Sequence, residues 1–184
     1  MTKTMIDLYK YWSPTYDEYS NRDNWAWPHL HPWGWLKDCH KIADLGCGTG
    51  QMTRKLIAEG HDCVGITYQP SELGDPNVRL GDMHDLPFAD AEFDAIVIWD
   101  SLEHCISPFI ALAEARRVTK PGGRGLIFMP GELWINFPYH LFVLNIRQMV
   151  QLLTLTGWRL VTVVDCSREQ PQAAFYCVEN PNTA

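Results

Sequence analysis

A chain of 184 residues that is 46% hydrophobic and 12% aromatic can bury one globular core. Its formal net charge of −7 and scattered basic residues argue against a nucleic-acid partner, which needs clustered Lys and Arg to neutralise phosphates. A small-molecule substrate is the expectation, and the oligomeric state is left open.

The first 40 residues hold five of the eight tryptophans and four of the seven tyrosines. We treat residues 1–40 as an aromatic-rich segment, either packed on the flank of the following domain or acting as a lid that excludes water. His29 and His31 stand one residue apart in a Pro/Trp-rich stretch with no Cys or acid at ligand spacing, so no metal is expected. The opening "MTKTMIDLYKYW" has no apolar run of signal-peptide length, and no stretch approaches the roughly 20 apolar residues of a membrane span. Cys39, Cys47, Cys63, Cys105, Cys166 and Cys177 form no CxxC pair and read as free thiols of a cytoplasmic protein.

From residue 41 to 184 strand and helix patterns alternate. "KIADLG" is a short apolar run closed by glycine, and "GQMTRKLIAEG" is a helix ending at Gly60. "HDCVGIT" and "NVRLGD" follow as strands, and then "FDAIVIWD", apolar and β-branched as a strand buried on both faces should be. "SPFIALAEARRVT" has helical spacing and is expected to stop before "KPGG". "GRGLIFMP" is a strand, "NIRQMVQLLTLTG" a helix, and "WRLVTVVDC" and "QAAFYCV" two closing strands. The order predicts a doubly wound, mostly parallel α/β sheet. The last two strands are too close for a helical crossover and should pair antiparallel. Ligands of such sheets bind at the carboxyl ends of the strands, so the residues just after each strand are the ones to read.

"DLGCGTG" sets Gly46, Gly48 and Gly50 between a strand and a helix, where glycine lets the backbone turn sharply and approach a ligand. The spacing is neither the GxGxxG of a dinucleotide-binding oxidoreductase nor a P-loop. It resembles the first motif of class I S-adenosylmethionine (SAM)-dependent methyltransferases. The stretch "GDMHDLPFADAEFDAIVIWDSLEHCISPFIALAEARRVTKPGG" is similar to the rest of that family's pattern, so the likeness covers about residues 41–130. It implies a Rossmann-like, seven-stranded sheet with an antiparallel last strand, SAM as cofactor, and a small or lipophilic methyl acceptor. A SAM-binding domain without activity, serving as a regulator or partner subunit, is the alternative.

The resemblance assigns residues in turn. Asp44 would face the methionine amino group of the cofactor. Thr67 stands where most members carry an acid that grips both ribose hydroxyls; losing such a bond costs roughly 1.5–3 kcal/mol. "GITYQPSE" is closer to the "G-[IVL]-T-L-S-x-x-Q" of cyclopropane-fatty-acid synthases and tocopherol methyltransferases, which puts Glu72 on the Gln position as a displaced ribose ligand. Asp82 would accept from the adenine amino group, or else form an Asx-turn with its own backbone. Met83 would meet the adenine ring through its backbone N–H, and Met83 and Leu86 would flank the ring. Asp100, after the fourth strand, would lie near cofactor and substrate. Glu103, His104 and His140 are the candidates for a general base if the acceptor must lose a proton, with a structural role for the "EH" pair as the other reading.

Overall fold

The structure is a computed structural model that describes residues 32–68, 74–132, 135–136, 140–167 and 172–181. Seven strands form one sheet: β1 (Lys41–Leu45), β2 (Asp62–Thr67), β3 (Val78–Leu80), β4 (Phe93–Trp99), β5 (Thr119–Met129), β6 (Arg159–Asp165) and β7 (Ala174–Glu179). Their order is β3-β2-β1-β4-β5-β7-β6. β1 to β5 pair in parallel, while β7 runs antiparallel to both β5 and β6. This is the expected doubly wound sheet with an antiparallel last strand.

Three described helices link the strands: α1 (Gln51–Ala58), α2 (Pro108–Val118) and α3 (Ile146–Leu155). α2 begins at Ser107, whose side chain caps Ile110 N–H, with Pro108 in the first turn. α3 opens on a capping box between Asn145 and Gln148 and is followed by Gly157 at φ +82°.

Alternation along the central strands splits the core in two. Ala43, Leu45, Ile96, Ile98 and Ile127 face α2 and α3, where Leu112, Ala115, Met149, Leu153 and Trp158 join them. Ile42, Ala95, Val97, Leu126 and Phe128 face the other way, against Leu56 of α1 and Leu36 and Cys39. β4 is therefore buried on both faces, as its unbroken apolar run requires. All six cysteines are free, and five of them are buried. Among the described residues no helix is long and apolar enough to cross a membrane.

One difference from the sequence expectation has a clear cause. "KPGG" breaks the helix but lies inside β5, where Thr119 pairs with Phe93 and Arg124 next pairs with Ala95. The residues between bulge outward, with Gly122 at φ +76° and its N–H bonded to Asn180 O at 2.7 Å. Residues 1–31 of the aromatic segment, with His29 and His31, lie outside the described residues. At its end Trp35 packs on the sheet's flank: its Nε1 donates to Gly125 O at 3.1 Å and the Arg124 guanidinium lies 4.9 Å from its ring.

One ion-pair cluster ties α2 to the loop between β3 and β4. Arg117 Nε and Nη2 donate to the two oxygens of Glu114 at 2.7 Å each, and Arg117 also reaches Phe88 O, Leu86 O and Asp90. Glu114 accepts in turn from Leu86 N–H at 3.0 Å. The "LPF" and "E…RV" strings are thus two sides of one clamp. Arg117→Lys keeps the charge but cannot make the fork and both carbonyl bonds at once. It is expected to destabilise the protein by about 1–3 kcal/mol in urea unfolding. An unchanged midpoint would show that the clamp adds nothing.

Candidate functional site

At the carboxyl edge of the sheet the chain leaves β1 through a turn that only glycine makes easily. Gly46, Gly48 and Gly50 have φ of +77°, +53° and +74°. A Cβ on Gly46 would stand 2.5 Å from Ser101 Cβ, so the turn after β4 lies directly against it. Gly46 and Cys47 N–H both donate to Ile66 O at 2.9 Å, which seats the turn on β2. Gly50 then enters α1 in the left-handed conformation.

Asp44, on β1 before this turn, is 1% exposed and accepts from the Thr53 hydroxyl of α1 at 2.7 Å. Burial raises its pKa to about 6, and the bonds from Thr53 offset only part of that shift. Thr67, the last residue of β2, is buried, and its carbonyl accepts Gly81 N–H at 3.0 Å. Glu72 lies outside the described residues.

After β3 the geometry includes the Asx-turn: Asp82 Oδ1 accepts from His84 N–H at 2.7 Å. The same oxygen accepts from the Tyr68 hydroxyl and from His84 Nδ1 at 2.6 Å. His84 Nε2 accepts from Ser107 N–H at 3.0 Å, so Nδ1 carries the proton and donates. Burial works to raise the Asp82 carboxyl, but the bonds from Tyr68 and His84 outweigh it and hold it below the ordinary carboxylate range. Met83 and Leu86 are packed in the core, with Met83 Cε 3.4 Å from where a Cβ on Gly46 would be. Tyr68 and His84 are the residues that sequence reasoning missed here. His84 sits two residues past Asp82, the spacing of an Asx-turn, which was the available signal.

The turn after β4 gathers the other candidates. Asp100 adopts φ +51°, and Ser101 Oγ donates to Leu45 O at 3.1 Å. A 3-10 turn at Leu102–His104 follows, with Leu102, Glu103 and His104 all buried. Leu141 and Phe142 N–H donate to the backbone carbonyl of Glu103, at 2.8 and 3.2 Å, and stitch the loop after β5 onto this turn. His140 is thereby brought beside its two partners: its ring meets that of His104 at 4.8 Å, edge to face. Burial, and then the neighbouring Asp100 carboxylate, push Glu103 well above the ordinary range, while burial raises Asp100 to about 6. The structure brings Glu103, His104 and His140 together, away from Asp44 and Asp82 in sequence but along the same sheet edge.

The donor set fits a nucleoside-bearing sulfonium cofactor. The glycine turn at the β1 end, Asp44 on β1 beneath it and the half-exposed Asp82 carboxylate at the β3 end lie on one sheet edge, with only β2 between the two strands. Residues 43–127 match the family described as "Methyltransferase domain". A demethylmenaquinone methyltransferase of Mycobacterium sp. (strain JLS) is 38% identical over 89 residues, covering 46% of this chain and 39% of that protein. A malonyl-[acyl-carrier protein] O-methyltransferase of Erwinia pyrifoliae is 38% identical over 95 residues, covering 47% and 36%. The chain thus spans about two fifths of the length of these curated relatives. The crystal structure of a SAM-dependent methyltransferase from Archaeoglobus fulgidus superposes with a TM-score of 0.74 at 18% identity, covering 92% of this chain and 99% of that one. Residues 43–127 thus match the methyltransferase-domain family, and the fold is that of solved SAM-dependent methyltransferases.

Asp44 gives a prediction about stability. Its folded pKa lies above the unfolded value near 4, so the folded state holds the proton more tightly. Stability from this group is full below about pH 4 and is lost as pH rises through about 6. Asp44→Asn keeps an acceptor for Thr53 and removes the buried charge. It should be more stable than wild type at pH 8, by at most about 3 kcal/mol, with the gap closing toward pH 4. Urea unfolding at both pH values measures this; a gap independent of pH would mean that Asp44 titrates normally.

Proposed function

We propose that this chain transfers the methyl group of SAM to a small or lipophilic acceptor by in-line displacement. The carrying observation is the glycine turn, which exposes backbone at the point where Asp44, Asp82 and the Glu103–His104–His140 cluster border one sheet edge. SAM supplies a methyl group already made electrophilic by its sulfonium, so the protein has to bind, align and exclude water.

Each residue has a task in this reading. The turn from Gly46 to Gly50 lets cofactor lie against the backbone, and Asp44 favours its ammonium group. Asp82 keeps Oδ2 for an adenine amino group while Tyr68 and His84 hold Oδ1. Met83 N–H would meet an adenine ring nitrogen. Thr67 and Glu72 are proposed for the ribose, and Asp100 for the border between cofactor and acceptor. The aromatic segment 1–40 is proposed as the cover of the acceptor. The two curated relatives act on different acceptors by their names, a demethylmenaquinone and a malonyl-acyl-carrier protein, which supports small or lipophilic chemistry in general.

Calorimetric titration with S-adenosylhomocysteine tests the cofactor side. Wild type should bind in the micromolar range, and Asp82→Asn should weaken binding about tenfold, the loss of one charge-assisted bond. Transfer of labelled methyl from SAM to a panel of quinols, phenols, amines and fatty acyl compounds tests the acceptor side. Binding without transfer to any member would favour the inactive, regulatory alternative; absence of binding would overturn the proposal.

A further inference from the structure

We propose that Glu103, His104 and His140, joined by Asp100, form a binding site for one divalent first-row transition-metal cation. Glu103 carries the proposal. It is wholly buried against the Asp100 carboxyl, and among the described residues no other group donates to its side-chain oxygens. Buried polar atoms are almost always satisfied, and two imidazoles stand beside this carboxylate. Yet Glu103 Oε1 lies 3.7 Å from His104 Nε2 and 3.9 Å from His140 Nε2, both beyond hydrogen-bond length. Two ligands that each sit about 2.0–2.2 Å from one ion stand roughly 3–4.3 Å apart, and both Glu103–imidazole separations fall in that range.

One ligand atom from each of Glu103, His104 and His140 lies within 4.8 Å of the other two, so small side-chain adjustments close the set. Asp100 adds a second carboxylate beside Glu103. Its Oδ1 is buried and, Glu103 apart, has no donor among the described residues, and its backbone is held at φ +51°, away from the easy region for a residue with a side chain. The His104–His140 contact is built across two loops by the Leu141 and Phe142 bonds to Glu103 O, so the ligand set is preorganised. Two imidazoles with carboxylates favour Mn, Fe, Co or Zn over Mg and Ca, which prefer sets made of oxygen alone. On the reading given under Proposed function, an ion here lies where the loops after β4 and β5 border the acceptor. Acceptors with an oxygen able to ligate it would then be preferred.

Mn²⁺ is the suitable probe, because the six cysteines could take up Zn²⁺ as thiolates. The full chain, stripped with EDTA, is titrated with MnCl₂ while the free-ion electron paramagnetic resonance signal is followed. We expect one ion per chain, and at least tenfold weaker binding in Glu103→Gln and in His140→Ala. His140 lies on the loop after β5, so its variant keeps the fold if Glu103→Gln does not; thermal unfolding without metal verifies both. MgCl₂ at the same concentration should not displace the manganese. No uptake by wild type, or uptake equal in wild type and a folded His140→Ala, would overturn the site. S-adenosylhomocysteine titration of the same wild-type sample, with and without Mn²⁺, reports separately on the cofactor reading.

Discussion

The parallel pairing of β1 with β4 is the constraint from which the site follows. Leu45 lies opposite Ile98, so the two chains leave the sheet at the same level. On one side the order continues to β2 and β3, on the other to β5, and the connections depart in opposite directions. A crevice forms at such a reversal without any special residue. What the sequence adds is fit: Gly46 has no Cβ, because Ser101 fills that space, and Ser101 Oγ ties back to Leu45 O at 3.1 Å. The glycine turn and the turn carrying Asp100, Glu103 and His104 are one packed unit, and neither can shift alone.

Charge is divided between the two ends of the sheet. At the amino end Asp94 bonds Lys120 and the His40 and Lys41 backbone, and Glu92 pairs with Lys41. At the carboxyl end Asp44 and Glu103 are buried and Asp100 is partly so, with Thr53 or neighbouring acid and imidazole groups around them. Burying carboxylates without a cation costs free energy, and the fold tolerates it only at the end where ligands bind.

The fold was legible because each strand and helix carries its own period and punctuation. β4 announces itself as a run of apolar residues, α3 by Asn145 and Gly157, and the closing hairpin by its short linker. The error at "KPGG" was one of kind: Pro and Gly ended the helix as expected, but a bulge let the strand absorb them. The glycine turn and Asp44 were legible for the same local reason. Side-chain partnerships were not. Tyr68 holds Asp82 across two strand ends, and His140 reaches Glu103 only because backbone bonds from Leu141 and Phe142 fold one loop over another. No spacing in the chain encodes such distances. Glu103, His104 and His140 meet only in three dimensions.

The stretch that matches the methyltransferase-domain family also divides by physics. Glu114 and Arg117 brace the loop at Leu86 and Phe88, so that half of the pattern is a clamp. Asp82 and Glu103 belong to the other half, at the site. The family match ends at residue 127, just before the chain leaves β5 for the loop that bears His140. The loop that bears His140 is thus fastened to a turn in the matched region by the carbonyl of Glu103. A substitution in that loop can change what meets the cluster without disturbing the glycine turn, whose anchors are Ile66, Ser101 and Leu45. On the proposed function, cofactor binding and acceptor choice then rest on separate anchors, so one framework could keep the first while varying the second.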